Sequence, residues 1–249
     1  MAVEIQTVTI VGQGNVASHY YSIMKEKGVN VKMVSSRLPF LKEDFKSHLI
    51  IIAVKDEAIQ ETVENIYKQI GRKVLLNSIV VHTSGYTSTD CLKKISAIYG
   101  SFYPLQSLRR GIAIDFATVS LCIWTNDEIA MQKLENLAKK LTNICYKLND
   151  SQRKTLHLAA VFTNNFTNHL YGIAKSILEK KNIPFSILYP LIDRTVVAVK
   201  QNNPFDIQTG PAIRKELTVM QEHKLELTEM ERKIYEIISE SIMNKSDIG

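Results

Sequence analysis

The 249 residues read as an α/β domain with a doubly wound parallel sheet, followed by an all-helical domain. Three features carry this reading. The stretch Thr7 to Ser18 (T-V-T-I-V-G-Q-G-N-V-A-S) passes from a buried-strand pattern through a glycine turn into a helical pattern. Short apolar runs then alternate with helical segments as far as Leu148, as parallel strands joined by crossover helices do. From Asp150 onward no strand pattern recurs. The boundary is therefore expected near Asn149, separating 1–149 from 150–249.

The elements follow in order. Val8, Ile10 and Val11 form the first strand, and a helix runs from Val16 to Lys27, closed by Gly28. Val29 to Ser35 alternates as a second strand, and a short helical piece starts at Pro39. The continuous apolar run His48 to Val54 suits a central strand buried on both faces. Asp56 to Ile70 is helical and ends at Gly71. Ser78 to His82 is a strand, Asp90 to Ile98 a short helix, and Gly100 to Leu105 a strand. Val119 to Thr125 and Ile144 to Leu148 are strands flanking the helix Glu128 to Leu141. Asp150 or Ser151 caps a helix expected to run to about Lys181. Pro184 and Pro190 bracket or kink the next helix, which extends to Lys200. Thr209 or Gly210 caps one begun by Pro211, and two more reach Met243.

The glycine turn has the form G-x-G-x-x-A between a strand and a helix, the context in which it binds dinucleotides. Gly12 permits the tight turn, Gly14 removes a Cβ that would hold a pyrophosphate off the backbone, and Ala17 allows close helix–strand packing. Asn15 and Val16 open the helix, whose free N–H groups and partial positive charge favour phosphate. NAD-binding domains place an acidic residue about 20 positions further on, at the ribose 2′-hydroxyl. Here the second strand ends in Ser35, Ser36 and Arg37, hydroxyls and a guanidinium suited to a 2′-phosphate. The expected cofactor is NADP.

Ligands of such sheets lie beyond the carboxyl ends of the strands. That places Val54 and Lys55, then His82-Thr83-Ser84-Gly85, then Tyr103 to Ser107 around the cofactor. His82 is a candidate general acid, or else a neutral imidazole tied to a loop carbonyl. Ser84 either bonds a ligand or satisfies turn backbone. At about 100° per residue, Arg153, His157, Asn164 and Asn168 share one stripe of the long helix, facing a ligand cleft or an interhelical polar network.

Composition narrows the class. The net charge of +6 is spread without a basic block, which argues against nucleic acid and for anionic small ligands. The three cysteines lie far apart and offer neither a disulfide framework nor a metal site, so the cytoplasm is the expected compartment. The first strand begins too early to leave room for a signal peptide, and no apolar run matches a membrane span. The apolar surface of the long helix exceeds what the helical half can bury alone, so a homodimer through that half is expected.

Val11-Gly12-Gln13-Gly14-Asn15-Val16-Ala17, Ser35-Ser36-Arg37 and Ala53-Val54-Lys55 resemble the glycine turn, 2′-phosphate loop and third-strand end of the NADP-linked Rossmann proteins with an all-α second domain. These include pyrroline-5-carboxylate reductases, β-hydroxyacid and 6-phosphogluconate dehydrogenases, and coenzyme-F420-type NADP reductases. More specifically, H-T-S-G (82–85), Y-P-L-Q-S (103–107), H-L-A-A-V-F-T-N-N-F (157–166) and T-G-P-A-I-R (209–214) are similar to a subgroup joining a Rossmann-like domain to a helical domain of unknown function. The resemblance spans nearly the whole chain. It implies an NADP-dependent oxidoreductase acting on a carbonyl, imine or alcohol carbon of a small, anionic metabolite, with a helical domain like that of 6-phosphogluconate dehydrogenase. Asn164-Asn165 match that group's asparagines, but its acid–base lysine falls on Val161. His157 or His82 then substitutes, or the protein binds NADP without turnover as a regulatory or scaffolding component. Arg214 is a candidate receptor for a substrate carboxylate.

Overall fold

The computed structural model describes residues 4–37 and 39–246. Among these, seven strands form one sheet: β1 (Thr7–Val11), β2 (Asn30–Val34), β3 (Leu49–Ile52), β4 (Ile79–His82), β5 (Tyr99–Leu105), β6 (Ser120–Thr125) and β7 (Ile144–Lys147). Their spatial order is β2-β1-β3-β4-β5-β6-β7. Helices α1 (Asn15–Glu26), α2 (Asp56–Gln69) and α3 (Glu128–Leu141) connect them. The chain leaves β1 toward β2 on one side and returns to β3 on the other, so a crevice opens where the strand order reverses.

Alternation within the strands assigns side chains to two cores. Leu49, Ile51, Ile10 and Val81 pack with Ala17, Tyr20 and Met24 of α1 and with Leu134 and Leu137 of α3. Ile50, Ile52 and Val80 face the other way, onto Ile59, Val63 and Ile66 of α2. Two-faced burial explains why β3 reads as an unbroken apolar run.

The sheet departs from the all-parallel expectation at one edge. β5 runs parallel to β4 but antiparallel to β6, with Gly100 opposite Thr125 and Leu105 opposite Ser120. A parallel return needs a crossover of a dozen or more residues, usually a helix, and residues 106–119 contain only the 3₁₀ turn Phe116–Thr118. Two other expected helical pieces are 3₁₀ turns, Lys42–Phe45 and Thr89–Lys94. Both are too short for an α-helix, which is marginal at such lengths.

The long helix is present without a break from Asp150 to Glu179, as α4 (Asp150–Ala160), a π-helical stretch (Val161–Phe166) and α5 (Thr167–Glu179). Its cap is Asn149, in a reciprocal capping box with Gln152, rather than Asp150 or Ser151. The wider π coil changes the angle per residue, so the side-chain phase expected from Asp150 is lost beyond Ala160. By compactness the chain divides at Asn164/Asn165, so α4 groups with the sheet. The second unit contains α6 (Tyr189–Gln201), α7 (Leu217–Leu225) and α8 (Glu229–Ser246). No helix starts at Pro211. Residues 211–215 form turns, with Lys215 at φ 54°, and α7 begins only at Leu217. None of the described helices is long and apolar enough to cross a membrane.

Candidate functional site

The crevice beyond the carboxyl ends of β1, β2 and β3 holds a cleft of about 690 Å³. Gly12, Gly14, Asn15 and Val16 line it from the glycine turn, Ser35, Ser36 and Arg37 from the end of β2, and Ala53, Val54 and Lys55 from the end of β3. All ten residues singled out for a cofactor therefore share one cavity. Gln13, Ala58 and Arg110 complete it. Arg110 lies in the segment after β5, remote in sequence from every nucleotide motif, and only the fold brings it there.

The two glycines do different work. Gly12 has φ +124°, and a Cβ there would lie 2.2 Å from the Ala53 carbonyl oxygen. The Ala53 N–H in turn donates to the Val11 carbonyl at 2.8 Å, so β1 and β3 close against each other at this point. Gly14 caps α1 in extended conformation, with no side-chain cap and no carboxylate in the first turn. A Cβ at Gly14 would meet no atom within 4 Å. A helix N-terminus without capping side chain or acid leaves its N–H groups to an external acceptor. The donor set fits a dinucleotide diphosphate. At the β2 end the Arg37 N–H donates to Ser35 Oγ at 3.2 Å, shaping the turn and leaving the exposed Arg37 guanidinium facing the cleft without a carboxylate partner among the described residues.

A second cluster lies beyond β4 and β5. The Tyr103 hydroxyl and His157 Nδ1 are 3.1 Å apart, with the rings edge-on at 6.0 Å between centroids. Gly85 packs between them: a Cβ there would lie 2.5 Å from His157 Nδ1 and 2.9 Å from Tyr103 Cζ. That contact explains the glycine of H-T-S-G. Burial first, then the charges of Cys122 and Asp56, push the Tyr103 phenol up to about 12, so it stays protonated at neutral pH. Tyr103 was within the segment expected around the cofactor, but its pairing with a helix 54 residues away left no mark in the sequence.

One turn before His157, Arg153 is fully buried. Its Nη1 donates to Ser101 Oγ of β5 at 2.9 Å and to Asp150 Oδ1 at 2.7 Å, and its Nη2 donates to the Thr87 carbonyl. Asp150 Oδ2 accepts from the Thr89 N–H at 2.7 Å and from the Ser88 hydroxyl at 2.9 Å. Burial alone would raise the Asp150 carboxyl, but these bonds and the guanidinium hold it below its ordinary range. On the polar stripe of α4, Arg153 thus bonds a strand and a loop, and His157 bonds a strand tyrosine while remaining half-buried. Beyond Ala160 the stripe does not continue: Asn164, in the π-helical stretch, and Asn168 are both exposed.

Two candidates change role. Ser84 is buried, its hydroxyl donating to Thr87 Oγ1 and accepting from the Tyr86 and Thr87 N–H groups, so it satisfies the turn. His82 is also fully buried. Its Nδ1 accepts from the Ser84 N–H at 3.2 Å, while its Nε2 makes no well-formed hydrogen bond among the described residues. Burial, reinforced by the Arg153 charge, lowers His82 to about 4, with the Asp150 charge opposing. A neutral, enclosed imidazole cannot act as the general acid that its position suggested. Arg214 is exposed and engaged by Glu216 at 2.8 Å, which competes with any substrate carboxylate.

A domain of unknown function (DUF2520) matches residues 119–242, from the edge of β6 through most of the helical unit. A candidate NADP oxidoreductase from Bacteroides fragilis is 30% identical, with 96% of this chain and 98% of that one aligned at a TM-score of 0.84. The chain belongs to that family of Rossmann-type NADP oxidoreductases. Members pair a Rossmann-type sheet with a helical C-terminal domain, as here. Among other solved structures, an imine reductase from Streptomyces aurantiacus is 11% identical with a TM-score of 0.64, covering 98% of this chain and 95% of that one. Plasmodium falciparum pyrroline carboxylate reductase with NADP bound is 13% identical with a TM-score of 0.56, covering 98% and 99%. At such identities the likeness is one of fold. No curated protein matches the chain.

The burial of His82 has a measurable consequence. Its proton affinity is ordinary (6.5) in the unfolded chain and low (about 4) in the folded one, so the unfolded state binds more protons between those values. Stability from this group is complete above pH 6.5 and is lost as pH falls toward 4, by about 3 kcal/mol. Urea unfolding at pH 4.5 and 7 should show this loss in the wild type and a smaller one in His82→Gln. An identical difference in both proteins would contradict the assignment.

Proposed function

We propose that the protein is an NADP-dependent oxidoreductase acting on a carbonyl, imine or alcohol carbon of a small, anionic metabolite. The observation that carries this reading is the single cleft uniting an uncapped helix start, the open space at Gly14 and the Ser35-Ser36-Arg37 turn. When bound, the nicotinamide cofactor supplies or accepts a hydride. The chain's own groups do the rest. The N–H groups at Gly14, Asn15 and Val16 receive the diphosphate, and Ser35, Ser36 and Arg37 receive the 2′-phosphate. Ala53, Val54 and Lys55 form the wall at the end of β3. Tyr103 and His157 hold and move the proton, the phenol remaining neutral and the imidazole fixed by its Nδ1 contact. Ser84 and His82 build the loop that carries Gly85 into that pair. An anionic substrate class accords with the net charge of +6 and with Lys55 at the cleft.

The competing reading, an NADP-binding protein without turnover, draws on Val161 at the family lysine position. The hydroxyl–imidazole pair offers a different acid–base group and favours catalysis. NADPH oxidation against a panel of 2-keto, 3-keto and imino acids tests the choice. Turnover on one of them is expected, lost in Tyr103→Phe or His157→Ala with NADP+ affinity retained. Arg37→Asp should weaken NADP+ by about 10- to 100-fold and leave NAD+ unchanged, the loss of a charge-assisted contact. Binding without turnover on any member would favour the competing reading, and unchanged NADP+ affinity in Arg37→Asp would remove the 2′-phosphate assignment.

We further propose a homodimer formed through the helical unit. Among the described residues, α5 and α6 contain none that is buried, and Ile187, Leu191, Leu225 and Ile237 are at least 62% exposed. Apolar side chains left exposed in this number favour an association face. Sedimentation equilibrium should give twice the chain mass of 28.2 kDa; a monomer at micromolar concentration would contradict it.

A further inference from the structure

The segment joining β5 to β6 does more than turn the chain. It lies across the opening turn of α1, held at two points one helical turn apart. The Arg110 N–H donates to Asn15 Oδ1 at 3.2 Å, and His19 Nε2 donates to the Arg109 carbonyl at 3.0 Å. Residues 15 and 19 share a face of a helix, so the two bonds together fix the direction of the strap. The same Arg109 carbonyl accepts from the Ile112 N–H at 3.2 Å, closing a tight turn whose third residue, Gly111, has φ +81°. Glycine at that position is what such a turn demands, and it places Arg110 at the corner, where a side chain projects away from the backbone.

Arg110 is a lining residue of the same cleft as Gly14 and Asn15, and also of the neighbouring pocket along α1 that His19 and Tyr21 line. It is exposed and makes no hydrogen bond or ion pair with any described residue. Two backbone anchors therefore hold a guanidinium at the glycine turn, yet nothing in the described chain uses its charge. The first turn of α1 carries no carboxylate that would compete for it.

We propose that Arg110 is a binding residue of the nucleotide site, closing over the diphosphate from the side opposite the α1 N–H groups. This rests on the cofactor reading above and goes beyond its motif residues. The assignment separates two cations by the phosphate they serve. Arg37, at the end of β2, discriminates NADP from NAD. Arg110, beside Asn15, faces the diphosphate that both dinucleotides contain, and sets affinity without setting preference. A guanidinium fork suits paired phosphate oxygens better than an ammonium does.

Calorimetry with NADP+ and NAD+, the weaker ligand read by displacement of NADPH fluorescence, tests this on the full chain. Arg110→Gln should weaken both dinucleotides by about tenfold and by the same factor. Arg110→Lys should fall between wild type and Arg110→Gln. The side chain is exposed and makes no hydrogen bond or ion pair with any described residue, so the thermal transition of either variant should match the wild type. Saturating NADP+ should also slow tryptic cleavage after Arg109 and Arg110 in the wild type. Unchanged affinity in Arg110→Gln overturns the proposal. So does a loss confined to NADP+, which would move Arg110 to the 2′-phosphate. A wild type that binds neither dinucleotide fails the cofactor reading itself, and the clamp with it, an outcome distinct from both.

Discussion

The close approach of β1 and β3 at Gly12 governs the rest of the molecule. With a Cβ at Gly12 only 2.2 Å from the Ala53 oxygen, no other residue allows both strands to end where they do. Because they end there, the chain must turn immediately into α1, and the first N–H groups of that helix emerge at the strand-order reversal. Unpaired backbone donors require an acceptor, and the chain supplies none from the Gly14 cap or the first turn. The mouth of the crossover is thus built by packing, and the ends of β2 and β3 and the strap after β5 converge on it.

The second cluster is built on another principle. Arg153 and His157 are four residues apart on α4, and Ser101 and Tyr103 are two apart on β5, so Arg153–Ser101 and His157–Tyr103 are successive polar contacts between one helix and one strand. A buried ion pair such as Arg153–Asp150 contributes little net stability, while the loss of one partner is costly. Its effect is to fix how α4 is rotated against the sheet, and so where the His157 ring lies. Gly85 completes that placement by letting the loop after β4 approach both rings. An apolar contact would tolerate slippage that this arrangement does not.

Much of this was legible beforehand. Each strand was found within two residues of its expected place, because full burial of β3 and the glycine boundaries at Gly28 and Gly71 leave strong local marks. That the ten residues expected at a cofactor share one cleft was legible for the same reason, since the turn, the end of β2 and the end of β3 are short local motifs. What escaped was set by long-range or non-ideal geometry. The antiparallel edge followed from a missing crossover helix between Leu105 and Ser120, an absence less conspicuous than a motif. Asn164 was placed by an ideal helical angle that the π-helical stretch violates. Tyr103 and Arg110 acquire their positions from contacts 54 and 95 residues distant in sequence, for which neither periodicity nor spacing offers a signal. His82 lies at the end of β4 as expected, but its burial, reinforced by the Arg153 charge, reverses the chemistry that exposure would have allowed.

The central claim is that the space at Gly14 is reserved for a diphosphate. Gly14 has φ −79° and ψ −170°, open to any residue, and a Cβ there meets no protein atom within 4 Å. Calorimetric titration of Gly14→Val with NADP+, beside its thermal unfolding, measures the claim directly. The account predicts a protein that folds with a wild-type transition and no longer binds the dinucleotide. Undiminished NADP+ affinity in that variant would contradict it.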